Sequence, residues 1–401
     1  MDASTPAAVE AVLDQDRLSE LIGRPVRAAR LRIKPDVSLT VGLEDAATGR
    51  PAGWARLLWP ISRAKADRAA RRARARGLRT VRRELDDGLV LHAGRLASDP
   101  ALMEHVGRAV ADELVEDPDG QRVLRHNPLR RLVVRTGAGV VRITSAPQDD
   151  ELRLRDFIGA RVPGAPIPAA APGFAAPGPP THISALRFVG DADLERAALP
   201  GTSAVAAASA AAGAALAALH ASARRLPADL ATQLPGRRAD SWDRRSPGRR
   251  EDGRRAGAVH ASVLRALDPA LAARALALDE RLPADPPPPR VLAHGDFTPD
   301  QVLVRLDDGA VWLTDFERSR LAPAATDLGS YLAVVDDATA RALLDGYADA
   351  GGRVPDRADL AAGAVRARLE RLAEPLRHAD PRWRERIGRE LEELEETCAT
   401  R

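Results

Sequence analysis

The chain has 401 residues, an apolar fraction of 45% and a formal net charge of +3. This length predicts two or three domains or one two-lobed enzyme, and so small a net charge argues against nucleic acid as a partner. The single cysteine, Cys398, allows no intramolecular disulfide, and residues 1–15 lack the cationic start and apolar segment of a secretory signal. We therefore expect a cytoplasmic protein.

The first 115 residues are predicted to form a cap-like segment of helices and strands. Apolar residues recur at helical spacing over 1–22 and 101–116, and residues 26–58 contain strand-like runs separated by glycine and proline. Residues 62–77 form a basic Ala/Arg helix with no aromatic residues among its arginines. This pattern is typical of a solvated helix face rather than a nucleic-acid-binding patch.

Residues 116–190 are predicted to form a small sheet. Its strands are joined by short connections, and a helix is expected over 148–158. Residues 161–180 are rich in Pro, Ala and Gly, which predicts extended chain. The predicted strands span residues 121–126, 131–136, 140–144 and 182–189.

The rest of the chain, residues 191–401, is predicted to be mainly helical. Residues 203–221 are alanine-rich, and we expect a buried core helix because alanine is barely hydrophobic enough for a membrane span. Residues 237–255 are dense in charge with Pro and Gly, which predicts an exposed or disordered loop. Further helices are predicted over residues 259–282, 338–350, 356–378 and 381–396.

The most informative pattern lies within residues 291–332. Short apolar runs end at the string HGD, residues 294–296, and at the string DFE, residues 315–317. An Asp-Gly turn between the runs predicts a β-hairpin. Asp296 and Asp315 would therefore each follow a strand, which holds both carboxylates on rigid supports at the edge of a cleft.

The hairpin is expected to fold Asp296, Asp315 and the amide of Gln301 around one space. Carboxylate and amide oxygens are hard ligands, suited to Mg²⁺ that carries polyphosphate. An acid that does not bind the metal can orient a hydroxyl group and accept its proton. These are the components of a kinase site.

The pattern resembles the catalytic core of the aminoglycoside phosphotransferase and choline kinase group, small-molecule relatives of the protein kinases. That group has His-Gly-Asp, then an Asn five residues after the Asp, then Asp-Phe or Asp-Trp, then Asp-Leu-(Ala/Gly). This chain has Gln301 instead of the Asn, and ends the pattern with Asp327-Leu328-Gly329. Gln at this position, combined with Asp-Phe-Glu, is similar to the maltokinase branch.

The resemblance is specific over residues 290–332, looser over 121–221 and absent over 1–120. It implies an α+β, two-lobed, protein-kinase-like fold with a small antiparallel-sheet N-lobe and a mainly helical C-lobe. The N-lobe and hinge would occupy residues 116–190 and the C-lobe residues 191–401. The extra N-terminal cap-like segment would be residues 1–115.

The resemblance also implies roles for residues of the motif. Asp296 would be the catalytic base, and Asp315 and Gln301 would hold Mg²⁺. His294 and Asp327 would support the catalytic loop.

Outside the motif, the resemblance implies a phosphate-binding cation on the third predicted strand. Kinases carry a Lys there that pairs with a helix Glu. Here Arg142 stands in that position and Glu151 follows nine residues later, so we expect this pair to contact the nucleotide. Protein kinases also carry a Lys two residues after the catalytic Asp, where this chain has Thr298.

We expect an ATP- and Mg²⁺-dependent kinase that phosphorylates a hydroxyl group of a small molecule of the sugar or aminoglycoside/amino sugar class. The alternative is a pseudokinase that binds nucleotide or a partner without turnover, which Arg142 and Gln301 favour and the retention of both acids disfavours. A metallohydrolase would need more His ligands than the eight scattered in the chain. Neither nucleic acid nor membrane is an expected partner, and the oligomeric state is left open.

Overall fold

The computed structural model describes residues 4–85, 88–174, 179–197, 199, 201–234, 258–282 and 290–399. The charged stretch at 237–255, predicted to be an exposed loop, lies outside the described residues.

An N-terminal unit combines helices with a five-stranded antiparallel sheet, in which the fifth strand of the chain lies between the third and the fourth. The helices are α1 (Thr5–Leu13), α2 (Gln15–Ile22), α3 (Ala64–Ala75) and α4 (Met103–Ala111). The strands are β1 (Val26–Lys34), β2 (Ser38–Asp45), β3 (Pro51–Leu58), β4 (Thr80–Glu84) and β5 (Val90–Gly94). The sequence patterns predict β1 to β3 but neither β4 nor β5. β4 is exposed over most of its length and lacks apolar alternation.

A four-stranded antiparallel sheet follows, and its strands pair in chain order. The first of the two central strands buries alternate residues, Leu132 and Val134, whereas the second is buried at every residue after Val140. Helix α5 (Asp149–Arg161) lies between the third and fourth strands in the chain. The strands are β6 (Arg122–Asn127), β7 (Arg131–Arg135), β8 (Val140–Thr144) and β9 (Ile183–Leu186).

The remaining described chain is mainly helical, with short strands that support the motif. The strands are β10 (Ala192–Asp193), β11 (Val291–Ala293), β12 (Val302–Val304), β13 (Val311–Leu313) and β14 (Arg320–Ala322). The helices are α6 (Gly201–Ala221), α7 (Ala228–Gln233), α8 (Ala258–Leu267), α9 (Pro269–Arg281), α10 (Ala325–Leu332), α11 (Asp337–Asp349), α12 (Arg357–Arg371), α13 (Glu374–Arg377) and α14 (Trp383–Ala399).

Two of these helices replace the single helix predicted over residues 259–282. Asp268 accepts a hydrogen bond from the backbone N–H of Leu271 and so caps α9, and Pro269 occupies the first position of that helix. Proline is well tolerated there because the first N–H groups of a helix have no partner within it. The Asp-Pro pair therefore ends α8 and begins α9.

Among the described residues, one helix, Ser203–Arg225, is long and apolar enough to cross a membrane by length and composition alone. In the fold it packs against α11. A Cβ on Gly213 would lie 2.1 Å from the backbone oxygen of Leu343, and a Cβ on Gly346 would lie 2.1 Å from that of Ala210. The two glycines therefore let the backbones of α6 and α11 approach closely within the helical core.

One hydrophobic core joins the N-terminal unit to the C-terminal helices. It contains side chains of α1, α2 and the first sheet together with side chains of α8, α9, α12 and α14. Leu39 of β2 and Trp383 of α14 are both fully buried in it. The N-terminal unit is thus a structural part of the C-terminal helical region, although the two are far apart in the chain.

Candidate active site

Two strand ends position the acids that the sequence singles out. β12 and β13 form the predicted hairpin, while β11 pairs with β14, a short strand that the sequence patterns do not reveal. Asp296 follows β11, and Asp315 follows β13. Asp315 has φ 62° and ψ 63°, a left-handed conformation that is rare for non-glycine residues and is often found at functional sites.

A buried carboxylate, Asp327 of α10, holds the loop that carries Asp296. It accepts hydrogen bonds from the backbone N–H groups of His294 at 2.6 Å and Gly295 at 2.8 Å, and it lies 2.9 Å from Nε2 of His220. Burial opposes its ionisation, but the contact with His220 and the backbone hydrogen bond hold the pKa of Asp327 below its usual value. Nε2 of His294 lies 2.6 Å from the backbone oxygen of Thr314, which links the loop to the end of β13.

The loop has room for only a glycine at position 295. Gly295 has φ 83°, and a Cβ there would lie 2.1 Å from the backbone oxygen of Arg318. Both the positive φ and the close backbone contact exclude other residues without a local shift. The glycine therefore lets the Asp296 loop lie directly against the segment that follows Asp315.

Two arginines contact the carboxylate of Asp296. Nη2 of Arg371, the last residue of α12, lies 3.3 Å from Oδ1, and Nη1 of Arg318 lies 3.3 Å from Oδ2. The same Nη2 of Arg371 donates to Oγ1 of Thr298 at 2.9 Å. The carboxylate is therefore oriented by groups from outside its own loop.

Two further arginines, both on the second sheet, face the carboxylate of Asp315. Nη1 of Arg131 on β7 donates to both carboxylate oxygens at 3.1 Å, and Nη2 of Arg142 on β8 lies 3.9 Å from Oδ1. Burial opposes ionisation of this acid, but the charges of Arg131 and Arg142 hold the pKa of Asp315 well below its usual range. Asp315 is therefore ionised throughout the physiological pH range.

Arg142 lies in the cleft between the second sheet and the motif, and is nearly buried. Its Nη1 donates to Oε1 of Glu151 at 2.6 Å, and its Nη2 contacts Oε1 of Glu317. Burial opposes its charge, but Glu151 and Glu317 raise the pKa of Arg142. Arg142 and Glu151 thus form the ion pair that the sequence predicts, at the side of the cleft where Asp315 lies.

Gln301 and its neighbour Asp300 supply further oxygen atoms beside Asp315. Nε2 of Gln301 donates to Oδ2 of Asp300 at 2.6 Å, which leaves the amide oxygen as its free acceptor. The backbone oxygen of Gln301 accepts from the N–H of Thr314, the residue before Asp315, at 3.0 Å. Burial and the charge of Arg131 lower the pKa of Arg125, and the carboxylates of Asp315 and Asp300 oppose this shift.

The chemistry of this donor set fits a Mg²⁺ ion that is shared with nucleotide phosphates, because such ions use one or two carboxylates together with phosphate and water oxygens. Within the described ranges, no three His, Cys, Asp or Glu side chains converge into a complete protein cage for a metal ion.

The predicted residues lie in two contact groups. Arg142, Glu151 and Asp315 form one, and Asp296 belongs to the other; the loop around Gln301 connects them. The sequence patterns do not identify Arg131 and Arg371, which reach the acids across 184 and 75 residues of the chain. With arginine so frequent in this sequence, no local signal distinguishes these two from the rest.

The sequence also matches the model of a known family. The model, described as the APH phosphotransferase enzyme family, matches residues 113–364, more than half of the chain. The chain belongs to this phosphotransferase family. It is therefore a small-molecule kinase that uses an alcohol group as acceptor, and the predicted family is confirmed.

The chain is also similar to several solved structures. A GDP complex of an aminoglycoside 2′-phosphotransferase-IIIa variant is 16% identical, covers 74% of this chain and 97% of its own, and has a TM-score of 0.50. A choline/ethanolamine kinase family protein from Mesorhizobium loti is 16% identical over 74% of this chain and 94% of its own, with a TM-score of 0.46. A macrolide 2′-phosphotransferase from Brachybacterium faecium is 20% identical over 72% of this chain and 98% of its own, with a TM-score of 0.43.

The predicted two-lobed, kinase-like α+β fold of this phosphotransferase is thus confirmed. A comparison with curated protein sequences found no match.

Proposed function

We propose that the protein transfers the γ-phosphoryl group of ATP to a hydroxyl group of a small molecule of the sugar or aminoglycoside class. The observation that carries the proposal is the placement of two carboxylates on rigid strand ends, with Asp296 beside Arg371 and Asp315 beside Arg142. The carboxylate of Asp296 can then act on the acceptor hydroxyl, and that of Asp315 on the metal and nucleotide. This division of roles is the one that phosphoryl transfer requires.

Asp296 orients the acceptor hydroxyl and accepts its proton. Proton transfer of this kind contributes on the order of 10²–10⁴-fold to the rate. Arg371 and Arg318 hold one oxygen each, so the carboxylate keeps a fixed direction while the acceptor binds. Positioning of this kind matters because phosphoryl transfer needs little covalent assistance from the protein.

Asp315 and Gln301, with Asp300 beside them, would hold Mg²⁺. The ion, when bound, neutralises charge on the phosphate oxygens. Arg142 remains charged next to this position and is available to the phosphates. Arg131 holds both oxygens of Asp315 and can transfer its hydrogen bonds to phosphate oxygens, which are strong acceptors for a guanidinium group.

The proposal is tested with purified protein, Mg²⁺, ATP and a panel of neutral sugars, amino sugars and aminoglycosides. Mass spectrometry would identify a phosphorylated acceptor, and coupled ADP release would give the rate. We expect Asp296→Asn to lower kcat by about 10²–10⁴-fold while ATP still raises the melting temperature.

Unchanged turnover in Asp296→Asn would contradict the assignment of the base. If no acceptor in the panel were phosphorylated, although Mg²⁺ and ATP stabilised the protein, the result would favour a pseudokinase.

A further inference from the structure

A groove opens beside Arg371 among the C-terminal helices. It has a volume of about 650 Å³, lies between α12, α13 and α14, and includes Ala333 and Val334 after α10 in its wall. Pockets for small molecules usually have volumes of several hundred cubic ångströms. Arg371 lines the groove and also contacts Asp296, so this arginine links the groove to the carboxylate proposed as the base.

The lining of this groove is rich in arginine, and its acids already have partners. Glu390 and Glu393 both contact Arg368 of α12, at 2.5 and 2.6 Å. Glu385 contacts Arg389 one helical turn away at 2.6 Å. No glutamate in the described wall of the groove is therefore without an arginine.

The arginines of the groove outnumber its glutamates. Besides Arg368, Arg371 and Arg389, the wall contains Arg382 and Arg386. Arg386 contacts Asp380 at 2.7 Å, whereas the exposed guanidinium of Arg382 makes no ion pair with the described residues. The charge in this wall that is free for a ligand is thus positive.

We propose that this groove binds the phosphoryl acceptor and selects a hydroxyl-rich sugar that carries no ammonium groups. The inference rests on the proposed function and narrows its acceptor class. An aminoglycoside would place several ammonium groups next to guanidinium groups, or would have to separate the ion pairs of Glu390 and Glu393 from Arg368. Sugar hydroxyls can accept from the arginines and donate to the glutamates while these pairs stay in place.

The first experiment compares maltose, glucuronate and kanamycin as acceptors of the wild-type protein with Mg²⁺ and ATP. We expect kcat/KM for maltose or glucuronate to exceed that for kanamycin at least tenfold. Phosphorylation of kanamycin with equal or greater efficiency would overturn the inference and would leave the proposed kinase function intact. If none of the three, nor any acceptor in the wider panel, were phosphorylated, the proposed function itself would fail.

The second experiment changes the free positive charge of the groove. Arg382→Glu should lower the ratio of kcat/KM for the non-amino sugar to that for kanamycin by about tenfold, because the groove then offers an unpaired carboxylate. The matched control is Arg357→Glu, the same charge change at the exposed start of α12, about 21 Å from Arg371 at 1.5 Å per helical residue. The control should leave the ratio unchanged.

An unchanged ratio in Arg382→Glu, with a melting temperature like that of the wild type, would overturn the assignment of the groove. A change of equal size in both variants would also overturn it, because the effect would then come from the net charge of the protein and not from the groove.

Discussion

The contact of Arg371 with Asp296 and Thr298 supplies a positive charge that the catalytic loop itself lacks. Thr298 occupies the position at which protein kinases carry a Lys, so the sequence alone indicates a missing cation. The structure places Nη2 of Arg371 at 2.9 Å from Oγ1 of that threonine and 3.3 Å from Oδ1 of Asp296. A residue of α12 therefore provides the charge from a distant part of the chain.

Arg371→Ala should lower kcat by roughly 10- to 100-fold, because a hydrogen bond to a charged group contributes about 1.5–3 kcal/mol. The KM for ATP should change little, since Arg371 lies on the acceptor side. Adding Thr298→Lys to Arg371→Ala should restore part of kcat, because it returns the cation to the loop. Steady-state kinetics of both variants, with melting temperatures to verify folding, would measure this.

Arg357→Ala serves as the control, since it removes an arginine from the other end of α12. If the double variant were folded but as slow as Arg371→Ala, the charge would not be the contribution of Arg371.

Residues next to strand ends could be predicted from the sequence, and residues that reach the site from elsewhere could not. Asp296 and Asp315 follow apolar runs, so local patterns identify them, and the family resemblance indicates Arg142 and Glu151. The contacts of Arg131 and Arg371 depend on how distant elements pack. Their position becomes visible only in the folded chain.

At the scale of elements, the loop between β6 and β7 is attached to the N-terminal unit. The buried carboxylate of Asp99 accepts from the backbone N–H of Leu129 at 2.8 Å and lies 3.3 Å from Nε2 of His126. Leu129 has φ 63°, and Pro128 lies next to Gly42 of β2. In kinases the corresponding loop covers the nucleotide phosphates. Here the loop is not rich in glycine, and Asp99 holds it in place through the hydrogen bond to Leu129.

Asp99→Ala should raise the KM for ATP about 5- to 30-fold, because the N–H of Leu129 loses a buried partner at a cost of about 1–2 kcal/mol. The KM for the acceptor should change less. Kinetics with ATP and with the acceptor as the varied substrate would separate the two effects.

The control for this prediction is Asp119→Ala. Asp119 accepts from the backbone N–H of Leu96 at 3.0 Å and does not contact the β6–β7 loop. Equal increases in the KM for ATP in both variants would indicate general loosening of the N-terminal unit.

Elements with strong local signals agree with prediction, and those that depend on partners do not. The β12–β13 hairpin follows from its Asp-Gly turn and flanking apolar runs. β14 has only three residues and forms because β11 pairs with it. So short a strand leaves no recognisable sequence pattern. The helices α8 and α9 form a continuous apolar pattern, and only the Asp268-Pro269 pair marks their boundary.

At the scale of the whole molecule, two buried histidines should make the fold sensitive to acid. Burial, together with the charge of Arg56, lowers the pKa of His92 to about 4. Burial and Arg377 lower the pKa of His260 to about 4. Between pH 6.5 and 4 the unfolded chain binds these protons and the folded chain does not, so the free energy of unfolding falls as pH falls.

Each histidine should lower the free energy of unfolding by up to about 3 kcal/mol as the pH falls from 6.5 to 4. His92→Leu should therefore reduce the slope of unfolding free energy against pH, measured by urea denaturation between pH 7 and 4. Trp54→Phe changes the ring that packs on His92 at 4.8 Å but removes no titrating group, so it should keep the slope of the wild type. Equal slopes for His92→Leu and the wild type would contradict the assignment.

The core shared by α1, β2 and α14 has a consequence for how the chain is made. Synthesis proceeds at about 5–20 residues per second, so tens of seconds separate the emergence of α1 from that of α14. During that time the core lacks the side chains of Trp383, Ile387 and Leu391 that α14 contributes. We expect nascent chains that stop before α14 to need chaperone protection, and the completed protein to fold late, with its first and last helices closing together.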